Sequence, residues 1–182
     1  MSTSRTKTAR TAKTEAAIIE GLSNLVIKVP VAKISLSELA KQSGLTRSTV
    51  YNQITSISNA LSILAEKMWI ETEEQAGANG SVATKILRVI DWVATDPRIQ
   101  GFRKHNPELF QETVAQISRL DDDIMANRVT EILMRWSVAA DIDTATTLTR
   151  WIATWAIEPG SVRERESASE LFAKLLLLDI QS

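Results

Sequence analysis

SLSELAKQSGLTRSTVYNQI, residues 35–54, predicts two short helices joined by a glycine turn. Ser35 can cap the first helix, and Glu38 stands three residues later, at the spacing of a capping box. Gly44 suits the left-handed backbone position that ends a helix. Thr46 can then cap the second helix. We therefore predict a helix-turn-helix.

The second helix of this pair combines an apolar side with a polar side. Val50 and Ile54 lie one turn apart and are expected to face a small core. A polar first turn after a glycine-containing turn is the geometry that lays such a helix in the major groove of DNA. Arg47 can donate two hydrogen bonds to guanine there, and Asn52 can pair with adenine. The predicted DNA contacts are Lys33, Ser35, Thr46, Arg47, Ser48, Thr49, Tyr51, Asn52 and Gln53.

The same pattern also fits a helical hairpin whose polar face contacts only water, which is common in all-α proteins. In the DNA-binding interpretation, Thr46 and Tyr51 contact phosphates and set the position of the helix. The caps, the turn glycine, the polar face and the local positive charge agree with one another. This agreement favours DNA binding over a solvated hairpin.

Charge is divided unevenly along the chain. The 182 residues carry a formal net charge of −1, but residues 1–68 hold nine Lys or Arg and four Asp or Glu, a net charge of +5. The remainder holds 12 basic and 18 acidic residues, a net charge of −6. This split suggests that the N-terminal part of the chain binds a polyanion and that the remainder repels it. We predict a basic flexible arm over residues 1–13; a solvated tail charged by chance is the alternative.

Several functions are disfavoured by residue types that are absent or rare. The chain has no cysteine and one histidine, His105, so it can form no disulfide and no thiolate metal site. It has no glycine-rich phosphate loop and no nucleophile motif. The carboxylates of Asp121–Asp123 point in different directions on a helix and are interpreted as a solvated cap. We predict no enzyme activity, no cofactor and no metal site.

The apolar content is sufficient for a core but not for a membrane span. Hydrophobic residues make up 44% of the chain, which is enough to bury a core. The longest aliphatic run, Leu175–Leu178, is far shorter than a bilayer requires. We expect no membrane partner and a cytoplasmic location.

Apolar residues recur at helical spacing along nearly the whole chain, with almost no strand signal. Pro30 ends a first amphipathic helix, and a long helix after the helix-turn-helix ends near Gly77. Whether Leu120–Asp123 interrupts a later helix stays open. We predict an all-α protein with the arm at 1–13, a three-helix DNA-binding domain at 14–55 and a helical ligand-binding and dimerisation domain at 56–182.

Residues 34–54, ISLSELAKQSGLTRSTVYNQI, resemble the helix-turn-helix of the TetR family of transcriptional regulators. Leu39-Ala40, Gly44, Thr46 and Tyr51 fall on positions characteristic of that family. The helix before the motif, the long helix after it and the helical remainder are similar to the family's architecture. The resemblance implies a homodimeric repressor that binds a pseudo-palindromic DNA operator. A helical protein-interaction module without DNA binding is the alternative, and a small helical-bundle enzyme is disfavoured.

The resemblance also implies where two subunits would meet. AADIDTATTLTRWIATWAI, residues 139–157, is similar to the eighth helix of the family, which forms the dimer interface with the last helix. FAKLLLL, residues 172–178, presents more than one apolar face, as a helix between subunits does. These residues could instead fill the core of the monomer. The predicted interface residues are Leu148, Trp151, Ile152, Trp155, Leu171, Leu175 and Leu178.

We also predict that a small, largely apolar effector binds inside the second domain, in a cavity of roughly 300 Å³ or more. The helix from Leu61 to Glu74 would connect this cavity to the helix-turn-helix. Aromatic residues at helical spacing more often fill a core, which is the alternative. The predicted lining residues are Trp69, Trp92, Phe102, Phe110, Met125 and Trp136.

Overall fold

The computed structural model describes residues 3–119 and 123–178, with side chains from 11 to 116 and from 127 to 178. Within these ranges the chain forms ten α-helices, a 3-10 turn and no strand, so the all-α prediction is confirmed. The elements are α1 (Thr3–Val26), the 3-10 turn (Val31–Lys33), α2 (Leu36–Gln42), α3 (Arg47–Gln53), α4 (Ile57–Ala76), α5 (Val82–Thr95), α6 (Pro97–His105), α7 (Pro107–Arg119), α8 (Asp123–Arg135), α9 (Ile142–Ile157) and α10 (Val162–Leu178).

Helix α1 begins earlier than the sequence indicated. The backbone is helical from Thr3 onward, within the segment predicted as a basic flexible arm at 1–13, and the role of this segment as an arm stays a prediction. No proline or glycine precedes Gly21 in the chain, so the helical register of the buried Ile18 and Leu22 extends toward the N-terminus. The basic residues of this segment therefore stand on a helix.

A first hydrophobic core holds α1, α2, α3 and the beginning of α4 together. Leu22 of α1, Leu39 of α2 and Val50 of α3 are completely buried in it. Ala60 and Leu64 bring α4 into the same core, because α4 packs on α1. This core therefore continues beyond the predicted domain boundary into α4.

The second part of the chain is arranged around α5, which contacts α4, α6, α9 and α10. Ile86 and Ile90 of α5 are completely buried. Leu133 of α8 and Leu148 of α9 join them in a second core. The spacing of four residues between the two isoleucines explains why one side of α5 is continuously apolar.

Arg165 ties α10 to α5. Its side chain is buried, and its guanidinium donates to the carboxylate of Asp91 at 2.5 Å. It also donates to the carbonyl oxygens of Pro159 and Gly160, at 2.8 and 3.1 Å. A buried guanidinium requires partners of this kind, so the turn before α10 is held by the same residue that anchors the helix.

Two close contacts join the segment that follows α1 to α6 and to the residue after it. A Cβ atom at Gly101 would lie 2.5 Å from the Cα of Ile27, so only glycine fits there without a shift of the backbone. Asn106, which follows α6, accepts a hydrogen bond through Oδ1 from the backbone N–H of Val31 at 2.8 Å. The N-terminal unit therefore contacts the body through α6 as well as through α4.

Arg98 joins α6 to α4. Its guanidinium bonds to Asp96 at 2.7 Å and to Glu71 of α4 at 2.5 Å. The hydrogen bond with Asp96, together with that to Glu71, raises the pKa of Arg98 above its ordinary value. The Arg98 side chain therefore stays positively charged where α6 meets α4.

The structure describes α7 as far as Arg119 and α8 from Asp123 onward. Residues 120–122 lie outside the described residues, so whether a helix is interrupted there stays open, and the side chains of the predicted solvated cap, Asp121–Asp123, also lie outside the described residues. None of the described helices has the length and apolarity needed to cross a bilayer. The described part of the chain also contains no group of three or more metal-binding side chains in a suitable arrangement.

Replacing Gly101 with alanine tests the contact between α1 and α6. In an ordinary helix interior this change stabilises by up to about 1 kcal/mol. Here the new methyl group meets backbone atoms of Ile27 that cannot rotate away, so we expect the free energy of unfolding to fall by about 1–3 kcal/mol in chemical denaturation. Lys104→Ala, at an exposed position of α6, is the control and should change stability by less than about 0.5 kcal/mol. A more stable G101A protein would contradict the contact.

Candidate nucleic-acid interface

The first helix of the motif starts and ends as its sequence predicted. The Oγ of Ser35 accepts a hydrogen bond from the backbone N–H of Glu38 at 3.1 Å, which caps α2. Gly44 adopts a φ of +66°, in the left-handed region that favours glycine. The N–H of Leu45 then bonds to the carbonyl of Ala40 at 3.0 Å and closes the turn.

Thr46 caps α3, and its hydroxyl oxygen contacts three polar groups. Its Oγ1 accepts from the backbone N–H of Thr49 at 3.2 Å. The same oxygen lies 3.0 Å from the Ser48 hydroxyl and 2.8 Å from the Thr49 hydroxyl. The phosphate contact expected of Thr46 stays a prediction, and it would compete with these bonds.

Helix α3 has one buried and one exposed side. Val50 and Ile54 are almost completely buried, as predicted, so α3 cannot rotate without exposing them. On the other side Tyr51 is 55% exposed. Eight of the nine predicted DNA-contacting residues are exposed and lie between residues 33 and 53, whereas Thr49 is half-buried. The exposed eight are Lys33, Ser35, Thr46, Arg47, Ser48, Tyr51, Asn52 and Gln53.

The turn between α2 and α3 rests on α1 at Gly21. A Cβ atom at Gly21 would collide with the Oγ of Ser43 and would lie 3.1 and 3.2 Å from its backbone N and Cα. The Ser43 hydroxyl also donates to the carbonyl of Leu39 at 2.7 Å, which limits its freedom to move. This close contact sets the distance between α1 and the turn that leads into α3.

The N-terminus of α4 follows directly after α3. Ser56 caps it by accepting from the N–H of Asn59 at 3.0 Å. Asn59 in turn accepts through Oδ1 from the N–H of Thr55 at 3.3 Å. The start of a helix attracts anions through its free N–H groups, so this end of α4 extends the surface that α3 presents.

Further along α4, two glutamates pair with two arginines of α8. Arg128 donates to Glu66 at 2.8 Å, and Arg135 donates to Glu73 at 3.0 Å. The guanidinium of Arg128 also lies 5.7 Å from the ring centre of Trp69. Sequence reasoning missed these pairs, although both glutamates and both arginines are seven residues apart, the spacing of one helix face.

The six residues predicted to line a ligand cavity do not surround one site. Trp69 and Trp136 line a cavity of about 70 Å³ between α4, α5, α8 and α9. The expected volume of roughly 300 Å³ is therefore wrong for this cavity, because side chains such as Leu133, Leu148 and Ile152 fill the space between the four helices.

The other predicted lining residues belong to a different cluster. Phe102 and Phe110 meet edge to face with ring centres 6.2 Å apart. Trp92 packs against the same group, between α5, α6 and α7. These three residues fill a core, so their assignment to the cavity is wrong. The side chain of Met125 lies outside the described residues.

The predicted dimer residues divide into buried and exposed ones. Leu148 is only 2% exposed within a single chain, so its assignment to an interface is wrong: α9 turns it toward α5 and α8. Trp151, Ile152 and Trp155 are half-buried, and the Trp151 ring stacks on Phe172 of α10 at 4.4 Å. Three leucines of α10 are mostly exposed, at 62%, 53% and 63%: Leu171, Leu175 and Leu178.

No family model matches the sequence, and no curated protein matches it. The structure is similar to the crystal structure of the TetR family repressor AlkX from Dietzia sp. strain DQ12-45-1b, which is implicated in the biodegradation of n-alkanes. The TM-score is 0.59 and the identity is 18%, over 90% of this chain and 95% of AlkX. The protein therefore has the TetR-family fold, which confirms the resemblance inferred from residues 34–54.

Replacing Gly21 with alanine tests how the motif is positioned. Helix propensity alone would stabilise α1 by up to about 1 kcal/mol. The collision with Ser43 opposes this gain, and we expect a net loss of about 1–3 kcal/mol in the free energy of unfolding. Thermal and chemical denaturation measure it. Ser43→Gly added to G21A removes the hydroxyl, and it should restore part of the loss; a G21A protein as stable as the parent would refute the close contact.

Proposed function

We propose that this protein is a homodimeric, sequence-specific DNA-binding regulator of transcription, and that it acts as a repressor released by a small molecule. The observation that carries the proposal is the exposed polar side of α3, which is held in place by the buried Val50 and Ile54. The TetR-family fold supports it, because AlkX, to which the structure is similar, is a TetR family repressor.

The exposed residues at the start and in the middle of α3 recognise the bases. Arg47 and Asn52 have the donors and acceptors that read guanine and adenine in the major groove. Lys33, in the 3-10 turn before α2, and Lys41, in the last turn of α2, are exposed and can neutralise phosphates. The basic first turns of α1 add positive charge to the same unit, whereas the acidic body keeps DNA away from the rest of the chain.

A dimer follows from the exposed leucines of α10. Leu171, Leu175 and Leu178 recur at intervals of four and three residues, so they form one apolar stripe that a single chain leaves in water. Two copies related by a two-fold axis would cover it. Such a dimer places two α3 helices about one DNA turn apart, roughly 34 Å or more, and its operator is a pseudo-palindrome.

Regulation runs through α4, which begins beside α3 and ends at the cavity. The cavity contains Trp69 and Ala76 of α4 in its wall, so a molecule bound there contacts this helix directly. A hundredfold preference of the molecule for the state that cannot bind DNA would supply about 2.7 kcal/mol. That energy is sufficient to move the equilibrium between two orientations of α4.

Substitutions in α3 test DNA recognition on a site selected from a random duplex pool. Arg47→Ala and Asn52→Ala should each weaken binding to that site by about 1–3 kcal/mol and relax the preference at one base pair. Lys104→Ala, on α6, should bind like the parent. Binding is measured by titration with fluorescent duplexes over a range of salt concentrations.

A second variant in the same titration separates base contacts from phosphate contacts. Alanine at Arg5, Lys7, Arg10 and Lys13 should weaken all duplexes alike and reduce the dependence on salt, because fewer counterions are released. If the parent protein retards no duplex even at low salt, the proposed function is refuted, and a protein-interaction module becomes the better explanation.

Charge placed on the apolar stripe tests the dimer. Leu171→Glu combined with Leu175→Glu should convert a dimer into a monomer at micromolar concentration, because two pairs of like charges would be buried together. Sedimentation equilibrium gives the mass. Leu109→Glu, an exposed apolar position on α7, is the matched control and should remain dimeric. A monomeric parent protein would exclude this interface.

A further inference from the structure

The exposed side of α10 differs in shape between its two ends. Toward the C-terminus it presents the apolar stripe of Leu171, Leu175 and Leu178, whose side chains are mostly exposed. One turn before Leu171 the same side carries Ala168, which is small and half-buried. Positions 168, 171, 175 and 178 follow one another at intervals of three and four residues, so they lie on one side of the helix. This side therefore has large side chains at one end and a small one at the other.

Ala168 borders an open groove between α10 and the end of α9, which we call the α9–α10 groove. Its walls include Trp155 of α9 and both Ala168 and Leu171 of α10. A Cβ atom at Gly160 would lie 2.8 Å from a carbon of the Trp155 ring, so glycine lets the turn between the helices close against this ring. The buried Arg165 donates to the carbonyl of Gly160 at 3.1 Å and holds the turn in place. The groove is therefore formed within a single chain, and it is continuous with the stripe through Leu171.

A two-fold axis can bring the two ends of this side together. If two α10 helices run antiparallel and the axis passes beside residue 173, each Leu171 faces the partner's Leu175. The same axis places the partner's Leu178 opposite Ala168, because these two positions are also centred on residue 173. Measured along the helix, each of them lies roughly 7.5 Å from residue 173, which is five residues at about 1.5 Å each. The leucine end of each helix therefore meets the groove of the other.

Charged residues beside the stripe agree with the antiparallel direction. Glu170 and Lys174 are exposed on one flank of α10, one turn apart. In the antiparallel pair these flanks lie on the same edge of the contact, and Lys174 is displaced by only roughly 3 Å along the helices from the partner's Glu170. The two lysines also approach each other across the axis, but the two pairs of opposite charge outnumber this one repulsion. In a parallel pair the charged flanks would lie on opposite edges, so the antiparallel direction has the better charge complementarity.

We propose that two copies of the chain dimerise through antiparallel α10 helices, with the partner's Leu178 seated in the α9–α10 groove between Trp155 and Ala168. The inference rests on the dimer of the proposed function, and it adds the direction and the register of the two helices. Because the contact occurs twice in a two-fold dimer, both Leu178 side chains and both grooves leave water together. The groove thus favours a second copy of this chain, since it needs a helix that ends in a leucine at this distance from the axis.

Cysteine cross-linking tests the register, because the chain has no cysteine of its own. A variant with both Ala168→Cys and Leu178→Cys should be joined into a covalent dimer by mild oxidation or by a short bismaleimide, since the two positions face each other across the interface. Within one chain they are separated by roughly 15 Å along the helix, which is too far for a disulfide. Either substitution alone should give no covalent dimer. Electrophoresis without reducing agent separates the dimer from the monomer.

Other cross-linking patterns would overturn the inference. A covalent dimer of Leu178→Cys alone requires the two copies of residue 178 to be neighbours, as in a parallel pair. A cross-link of Ala168→Cys with Leu175→Cys, but not with Leu178→Cys, would mean that the helices are shifted by about one turn. A dimeric protein in which neither pair reacts would place the groove outside the interface. Ala168→Cys combined with Leu109→Cys, on the exposed side of α7, is the matched control and should stay monomeric on the gel.

An exchange of side-chain size measures the fit without cysteine. Ala168→Leu fills the groove, so it should weaken dimerisation by about tenfold or more. Adding Leu178→Ala removes the side chain that the new leucine displaces, and it should restore the affinity to within about threefold of the parent. Sedimentation equilibrium gives both values. An A168L protein that dimerises as tightly as the parent would contradict the seating of Leu178 in the groove.

The same experiments separate this inference from the proposed function. A parent protein that is monomeric at micromolar concentration would refute the proposed dimer, and the inference with it. A dimer with another direction or register would refute the inference alone. A dimer with the expected cross-link that retards no duplex would refute the proposed DNA binding and leave the register in place.

Discussion

Helix α4 packs into both hydrophobic cores of the molecule and so links the helix-turn-helix to the body. Ala60 and Leu64, in its first turns, are buried with α1, α2 and α3. Trp69 and Ala76, in its later turns, pack against the body. A helix of 20 residues is about 30 Å long and has all its backbone bonds within itself. It therefore tilts as a unit more easily than it bends, and any tilt at the body end changes the position of α3.

Charged pairs hold α4 on two sides without determining the stability of the protein. Arg128 and Arg135 of α8 bond to glutamates that are partly exposed, so each pair contributes little free energy. Arg98, on the α6 side, is better buried and has two carboxylate partners. The pairs specify which residues of α6 and α8 face α4. Contacts that are weak but directional suit a helix that is proposed to change its orientation when a molecule binds.

The helix-turn-helix and the cavity differ in how their polar groups are satisfied. In the motif, Ser35, Thr46 and Ser56 each satisfy a backbone N–H at a helix start, and the polar groups left over point into solvent. In the cavity, the N–H of Trp69 is buried and has no partner. Sequences that fold well leave few such groups, so an exception is a reason to look for a ligand. Both proposed sites are thus defined by polar groups that folding does not use.

Residues 35–54 were sufficient to predict the motif, because Ser35 and Gly44 act through hydrogen bonds and a backbone angle within a few residues of their own position. They also determined which side of α3 is apolar. The burial of Leu148 in a core and the small size of the cavity could not be predicted in this way, since both depend on how side chains from several helices fit together. The pairing of Arg128 with Glu66 joins residues 62 positions apart. A seven-residue spacing of charges predicts a common helix face, but it does not say which other helix that face will contact, because that choice is made by packing across the whole molecule.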